Sequence, residues 1–112
     1  MRLLPAIKLL FLLSVVFLAA PLRARAERLP ARFYTAANGL AHDRIQSIAR
    51  DSRGFLWFCT YDGLSRYDGS VFVNYGVKEG LPLAYVNTIT ETRADGIYWI
   101  GTNGSGVVRF DA

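Results

Sequence analysis

From Ile45 onward, apolar residues fall in short runs separated by breaks rich in glycine and aspartate. The runs are Ile45–Arg50, Phe55–Thr60, Leu64–Tyr67 and Val71–Tyr75; the breaks are Asp51-Ser52-Arg53-Gly54, Tyr61-Asp62-Gly63 and Asp68-Gly69-Ser70. Four such runs in about 35 residues predict an antiparallel meander of short strands. The breaks have a physical basis, because glycine takes positive φ without strain and aspartate bonds to its own backbone. Ile45 and Ile48 are spaced as they would be on a short helix. The stretch Val86-Asn87-Thr88-Ile89-Thr90-Glu91-Thr92 decides for a strand, because stiff β-branched side chains favour a pleated backbone.

That stretch belongs to a second copy of the same pattern. Gly39-Leu40 is answered by Gly80-Leu81, Ile48 by Ile89, Gly54 by Gly96, Trp57 by Trp99 and Thr60 by Thr102. Gly63, Arg66 and Asp68 are likewise answered by Gly106, Arg109 and Asp111, so the offset grows from 41 to 43 residues through two single-residue insertions. Repeats of roughly 40 to 50 residues built from short strands are the mark of propeller arrays, in which one unit cannot bury its apolar faces without neighbours. The second strand of each copy, Phe55-Leu56-Trp57-Phe58 or Ile97-Tyr98-Trp99-Ile100, shows no polar alternation, so both its faces need cover. A two-layer sandwich leaves one face wet, whereas a blade between two blades does not.

The predicted fold is therefore all-β, with β-propeller blades as four-stranded antiparallel meanders and about two blades of a larger propeller in the chain. Blade one spans about 39–76 and a partial blade two about 80–112. Tyr34 stands five residues ahead of Gly39 as Tyr75 stands five ahead of Gly80. Residues 32–35 therefore resemble the last strand of a closing blade. Open blade faces and strand edges predict that the chain alone is oligomeric or poorly soluble.

Charge sharpens this picture by its location. The formal net charge is +4, but Arg2, Lys8, Arg23 and Arg25 are unopposed, and the chain from Glu27 onward is neutral. The basic balance is thus no argument for a nucleic-acid partner of the folded part. Residues 1–26 read as a secretory signal peptide: a basic start, the apolar run Leu9–Ala20, and Ala24-Arg25-Ala26 as the cleavage site, with the cut between Ala26 and Glu27. Twelve apolar residues fall short of the roughly 20 that span a bilayer. The expected destination is the periplasm. The single cysteine, Cys59, cannot form an internal disulfide and is expected as a small buried hydrophobe.

Gly-Leu, then Ile-x-x-Ile, then Asp-x-x-Gly-x-Leu-Trp-x-x-Thr, then Asp-Gly-Leu-x-Arg-Tyr-Asp resembles the two-component regulator propeller repeat over about Phe33–Asp111. The resemblance implies a periplasmic propeller at the front of a membrane-spanning sensor, with an output module such as a histidine kinase further along. It implies a non-catalytic sensor domain for carbohydrate or other extracytoplasmic cues, whose partners are further blades and downstream modules, with membrane contact only through a downstream segment. Two departures stand out. Cys59 replaces a glycine usual before the threonine, and Asn103-Gly104-Ser105-Gly106 is one residue longer than Tyr61-Asp62-Gly63.

Candidate chemistry is sparse. Trp57 and Trp99 could stack on sugars, but their repeated place in apolar strands marks them as core. Asp51, Asp62, Asp68, Asp95 and Asp111 are explained by turns or strand ends, and none are grouped at calcium-loop spacing, so no metal or other cofactor is expected. Arg66 and Arg109 read as structural ion-pair partners for Asp68 and Asp111. His42 is the only histidine, and His42-Asp43 does not by itself make a catalytic pair. Loop positions that differ between copies are better ligand candidates, and His42, Tyr61 and Tyr85 fit that description. An exported propeller enzyme such as a polysaccharide lyase, and an inactive truncated product, remain as alternatives. In a complete propeller, Trp57→Ala should cost about 3 to 5 kcal/mol in urea melts; a loss below ~1 kcal/mol would contradict the core assignment.

Overall fold

A computed structural model describes residues 28–112; the signal-peptide reading of residues 1–26 and the cut between Ala26 and Glu27 lie outside the described residues. The chain divides into Met1–Ala31 and Arg32–Ala112, and every strand described belongs to the second unit. Strands β1 (Ile45–Arg50), β2 (Leu56–Thr60), β3 (Gly63–Tyr67) and β4 (Phe72–Tyr75) form one antiparallel sheet in chain order. A second sheet consists of β5 (Val86–Glu91), β6 (Ile97–Thr102) and β7 (Val107–Asp111). The fold is all-β, and each sheet is the meander that the alternating runs and breaks predict.

Local geometry repeats with the sequence. The 3-10 turns Ala36–Asn38 and Val77–Glu79 end on Gly39 and Gly80 at φ 113° and 109°, a left-handed conformation that glycine adopts without strain. Asn38 Oδ1 accepts a hydrogen bond from the Thr35 N–H at 2.9 Å, and Glu79 Oε2 accepts one from the Gly76 N–H at 2.7 Å. The shared threonines close the β2–β3 and β6–β7 turns, as Thr60 Oγ1 donates to the Gly63 carbonyl at 2.8 Å and Thr102 Oγ1 to the Gly106 carbonyl at 2.7 Å. Space also fixes Gly63, where a Cβ would collide with the Tyr75 carbonyl oxygen. Both β1 and β5 carry a register shift at equivalent points, Ile45/Ser47 and Val86/Thr88.

The two sheets pack face to face. Trp57, Cys59, Leu64, Leu81, Val86, Ile89, Tyr98 and Ile100 form the buried cluster between them. The Trp57 ring lies 5.0 Å from Tyr98 and 5.9 Å from Phe110, edge-on to the latter. A cavity of about 10 Å³ remains near Asp51 and Tyr98, room for no more than about one water. Cys59 is fully buried, and that burial raises its thiol above the ordinary value.

Equivalent residues differ according to what covers them. Trp57 is 1% exposed, whereas Trp99, aligned with it, is 41% exposed; Ile89 is 5% exposed and its counterpart Ile48 61%. Each sheet therefore presents one face for a preceding blade and another for a following one. The core expectation holds for Trp57 but not for Trp99, because no sheet covers that face within the described residues. The paired arginines also diverge. Arg109 Nη1 lies 3.1 Å from Asp111, as expected. Arg66 instead stacks over the Phe55 ring at 4.7 Å, because an aromatic face is available to it. Residues 32–35 form no ladder among the described residues, since no strand of a preceding blade lies beside them.

Where β1 turns into β2, Asp51 becomes the polar centre of the sheet interface. Its Oδ1 accepts from the N–H groups of Arg53 and Phe55, both at 2.9 Å, and its Oδ2 from Trp57 Nε1 at 2.9 Å and the Tyr98 hydroxyl at 2.5 Å. A reciprocal link comes from the second sheet, whose Glu91 carboxylate accepts from Ser52 N at 2.7 Å and Ser52 Oγ at 2.9 Å. Burial works to raise Asp51 and is the largest single influence, but the bonds from Tyr98, Trp57, Phe55 and Arg53 together hold it below the usual carboxylate value. Burial, reinforced by the bond to Asp51, pushes the Tyr98 phenol far up. A carboxylate lowered by folding contributes stability that is complete above its unfolded value, near pH 4, and is lost as the pH falls through the folded value. Urea midpoints of the wild type should fall below about pH 4. Asp51→Asn should be roughly 1 to 3 kcal/mol less stable at pH 7 and show a shallower acid decline; an acid profile identical to the wild type would contradict this role.

Candidate functional site: an aromatic row at one end of the sheets

The end opposite Asp51 gathers His42, Tyr61 and Tyr85, three of the residues that differ between copies. The His42 and Tyr61 rings stack at 5.9 Å with 20° between their planes, and Tyr61 meets Tyr85 at 4.1 Å. Backbone geometry places them. Tyr61 leads the β2–β3 turn, and its N–H donates to the Arg44 carbonyl at 3.3 Å, just before β1. In the second sheet the Asn103 N–H donates to the Tyr85 carbonyl at 3.2 Å, the same bond at the equivalent point. The backbone repeats here while the side chains do not: His42 aligns with Leu83, Arg44 with Tyr85 and Tyr61 with Asn103.

Two polar residues complete the row, and sequence reasoning did not single them out. The Arg44 guanidinium lies 5.1 Å from the Tyr61 ring centre, and Gln46 Nε2 donates to the Tyr85 hydroxyl at 2.7 Å. His42 Nδ1 accepts from the Arg44 N–H at 2.9 Å, which orients the imidazole. With its oxygen occupied by Gln46, Tyr85 has its own proton free for Tyr61. Hydrogen bonding from Tyr85 draws Tyr61 below the ordinary phenol value, helped by the charge of Arg44, while the same pairing pushes Tyr85 up. The signal for Arg44 was present in the sequence: it stands where the second copy has Tyr85, so the pair is a point of divergence inside a repeating frame.

All three rings are half-buried, and Arg44 and Gln46 are exposed. The rings pack against one another with Arg44 over Tyr61, so the row offers ring edges and the Arg44 and Gln46 donors, suited to hydrogen bonding with a hydroxylated ligand. Beside it, Asp62 borders a groove of about 400 Å³ that Leu40, Asn74 and Lys78 also line. The aspartates sit in turns: Asp68 Oδ1 accepts from Ser70 and Val71 N–H groups, and Asp95 Oδ1 from Ile97 N–H. Among the described residues, no three of His, Cys, Asp or Glu converge as metal ligands, and no helix is long and apolar enough to cross a membrane.

Residues 39–62, from the Gly39 turn through β2 to Asp62, match the two component regulator propeller family. Over that segment the chain resembles a two component regulator propeller repeat. Over 59 residues the chain is 36% identical to histidine kinase P4 of Formosa agariphila, a match over 53% of this chain and 4% of that protein. The propeller repeats also superpose on a crystal structure assigned to the extracellular domain of a hybrid two component system from B. thetaiotaomicron. The TM-score is 0.64 at 27% identity, covering 71% of this chain and 12% of that one. The chain thus spans a small part of each relative's length. The repeats are β-propeller blades, and the row of His42, Tyr61 and Tyr85 lies at the end of the blades where the β2–β3 turn meets the strand entering β1.

Proposed function

We propose that this chain forms part of an extracytoplasmic, non-catalytic sensor propeller of a two-component signalling protein. Its ligand-contacting surface is the row of His42, Tyr61 and Tyr85 with Arg44 and Gln46, and carbohydrate is the ligand class. One observation carries this reading: within a frame whose backbone bonds repeat, three aromatic rings meet at positions where the copies differ. Thr60 and Thr102, which close equivalent turns, recur in both copies; the residues of the row do not. Sugar rings present rims of hydroxyls, which match the aromatic edges and the donors of Arg44 and Gln46. The family match and the two relatives support the signalling context.

In this reading residues 1–26 direct export with cleavage between Ala26 and Glu27, and further blades and downstream modules carry the signal across the membrane. Two measurements test it. A leaderless β-lactamase fused after Ala112 should confer resistance through export; a sensitive host would contradict the location. An array of neutral and uronic-acid oligosaccharides probed with the full chain should give saturable binding that weakens at least tenfold, about 1.4 kcal/mol, in Tyr61→Ala. Binding unchanged by that substitution, or absent across the array, would contradict the ligand surface.

A further inference from the structure

The hydrogen bonds of the aromatic row run in one direction. Gln46 Nε2 donates to the Tyr85 hydroxyl at 2.7 Å, and Tyr85, its oxygen so occupied, points its own proton at Tyr61. Tyr61 therefore accepts inside the row and keeps its own proton for a group outside it. Each bond in such a chain polarises the next hydroxyl, so the last member is the strongest donor. His42 follows the same rule. Its Nδ1 accepts from the Arg44 N–H at 2.9 Å, which leaves the proton of the neutral imidazole on Nε2, away from that bond. Beside both lies the Arg44 guanidinium, 5.1 Å from the Tyr61 ring centre, with five N–H donors and no acceptor.

The neighbouring carboxylates are engaged or directed elsewhere. Asp43 Oδ1 accepts from the Ala36 N–H at 2.7 Å, and Asp62 lines the groove that it shares with Asn74 and Lys78. Among the described residues Arg44 makes no ion pair; Arg109 and Asp111 do. The charge of Arg44 acts on Tyr85 as well as on Tyr61, so its guanidinium is turned toward the second sheet and not toward the face that a preceding blade would take. The second copy has Tyr85 in place of Arg44 and Asn103 in place of Tyr61, so this pairing of cation and phenol belongs to the junction of these two blades.

We propose that the cluster is an anion subsite, in which Arg44 and the Tyr61 hydroxyl bind a carboxylate or sulfate group carried on a saccharide, with His42 Nε2 as a further donor. It rests on the row being a carbohydrate surface and adds the charge of the ligand. A neutral sugar hydroxyl both donates and accepts, whereas this cluster turns outward donors and a positive charge. The planar guanidinium engages two oxygens of one anionic group at once, and bonds to an ionised acceptor are the stronger ones.

Binding of the full chain to two pairs of oligosaccharides tests this: an oligogalacturonate against its methyl ester, and a sulfated galactan fragment against its unsulfated form. In at least one pair the charged member should bind about tenfold or more tightly than its neutral partner, and which pair does so names the anion. That preference should shrink as salt is raised. Arg44→Gln should bring the members of each pair within about twofold, and Tyr61→Phe, which keeps the ring, should cut the preference by roughly three- to tenfold. Both variants should retain the wild-type circular dichroism, since Arg44 is exposed and Tyr61 loses only its hydroxyl. Charged and neutral members bound alike by the wild type, or a preference that survives Arg44→Gln, would overturn the proposal and leave the carbohydrate surface standing. Binding to neither pair would overturn both.

Discussion

The Asp51 carboxylate receives four hydrogen bonds, two from its own turn, one from the indole of Trp57 and one from the hydroxyl of Tyr98 in the next sheet. A buried carboxylate is tolerated only when its oxygens are fully engaged, so this arrangement constrains much else. The β1–β2 turn must fold back to supply the backbone donors, Trp57 must turn its indole N–H toward the carboxylate, and Tyr98 must come from across the interface. Ser52 and Glu91 repeat the logic in the opposite direction. The apolar cluster supplies the driving force for packing the sheets, and Asp51 fixes their register.

Much of the fold could be read from the chain because both signals that carry it are local. Run length and turn residues gave the strands, and the unbroken apolar character of Phe55–Phe58 pointed to cover on both faces; the second sheet covers the face that carries Trp57, while Leu56 and Phe58 on the other face stay half-buried. What escaped was whatever depends on a neighbour. Trp57 and Trp99 look alike in sequence and differ in exposure because only one has a sheet over it. Arg66 and Arg109 look alike, yet the first found an aromatic face and the second a carboxylate. Asp51 read as an ordinary turn residue. Its second task depends on Tyr98, which stands where the first copy has Leu56, so the partner appears in one copy only.

The candidate site follows the same division. His42, Tyr61 and Tyr85 were legible as residues that do not repeat, but not as a row, because Tyr85 lies more than forty positions from His42 and only the packing of sheet on sheet joins them. The end at Asp51 locks the blades together, and the opposite end presents what varies. In an array built on repeats the frame must hold each blade in place, while the exposed turns are free to differ from blade to blade.

The central claim is that Asp51 and Tyr98 join the blades as a coupled pair rather than as two separately buried residues. A double-mutant cycle of Asp51→Asn and Tyr98→Phe, measured by urea melts of the full chain at one protein concentration, tests it most directly. The account predicts a coupling of about 1 to 3 kcal/mol. Additive losses, within about 0.3 kcal/mol, would contradict it.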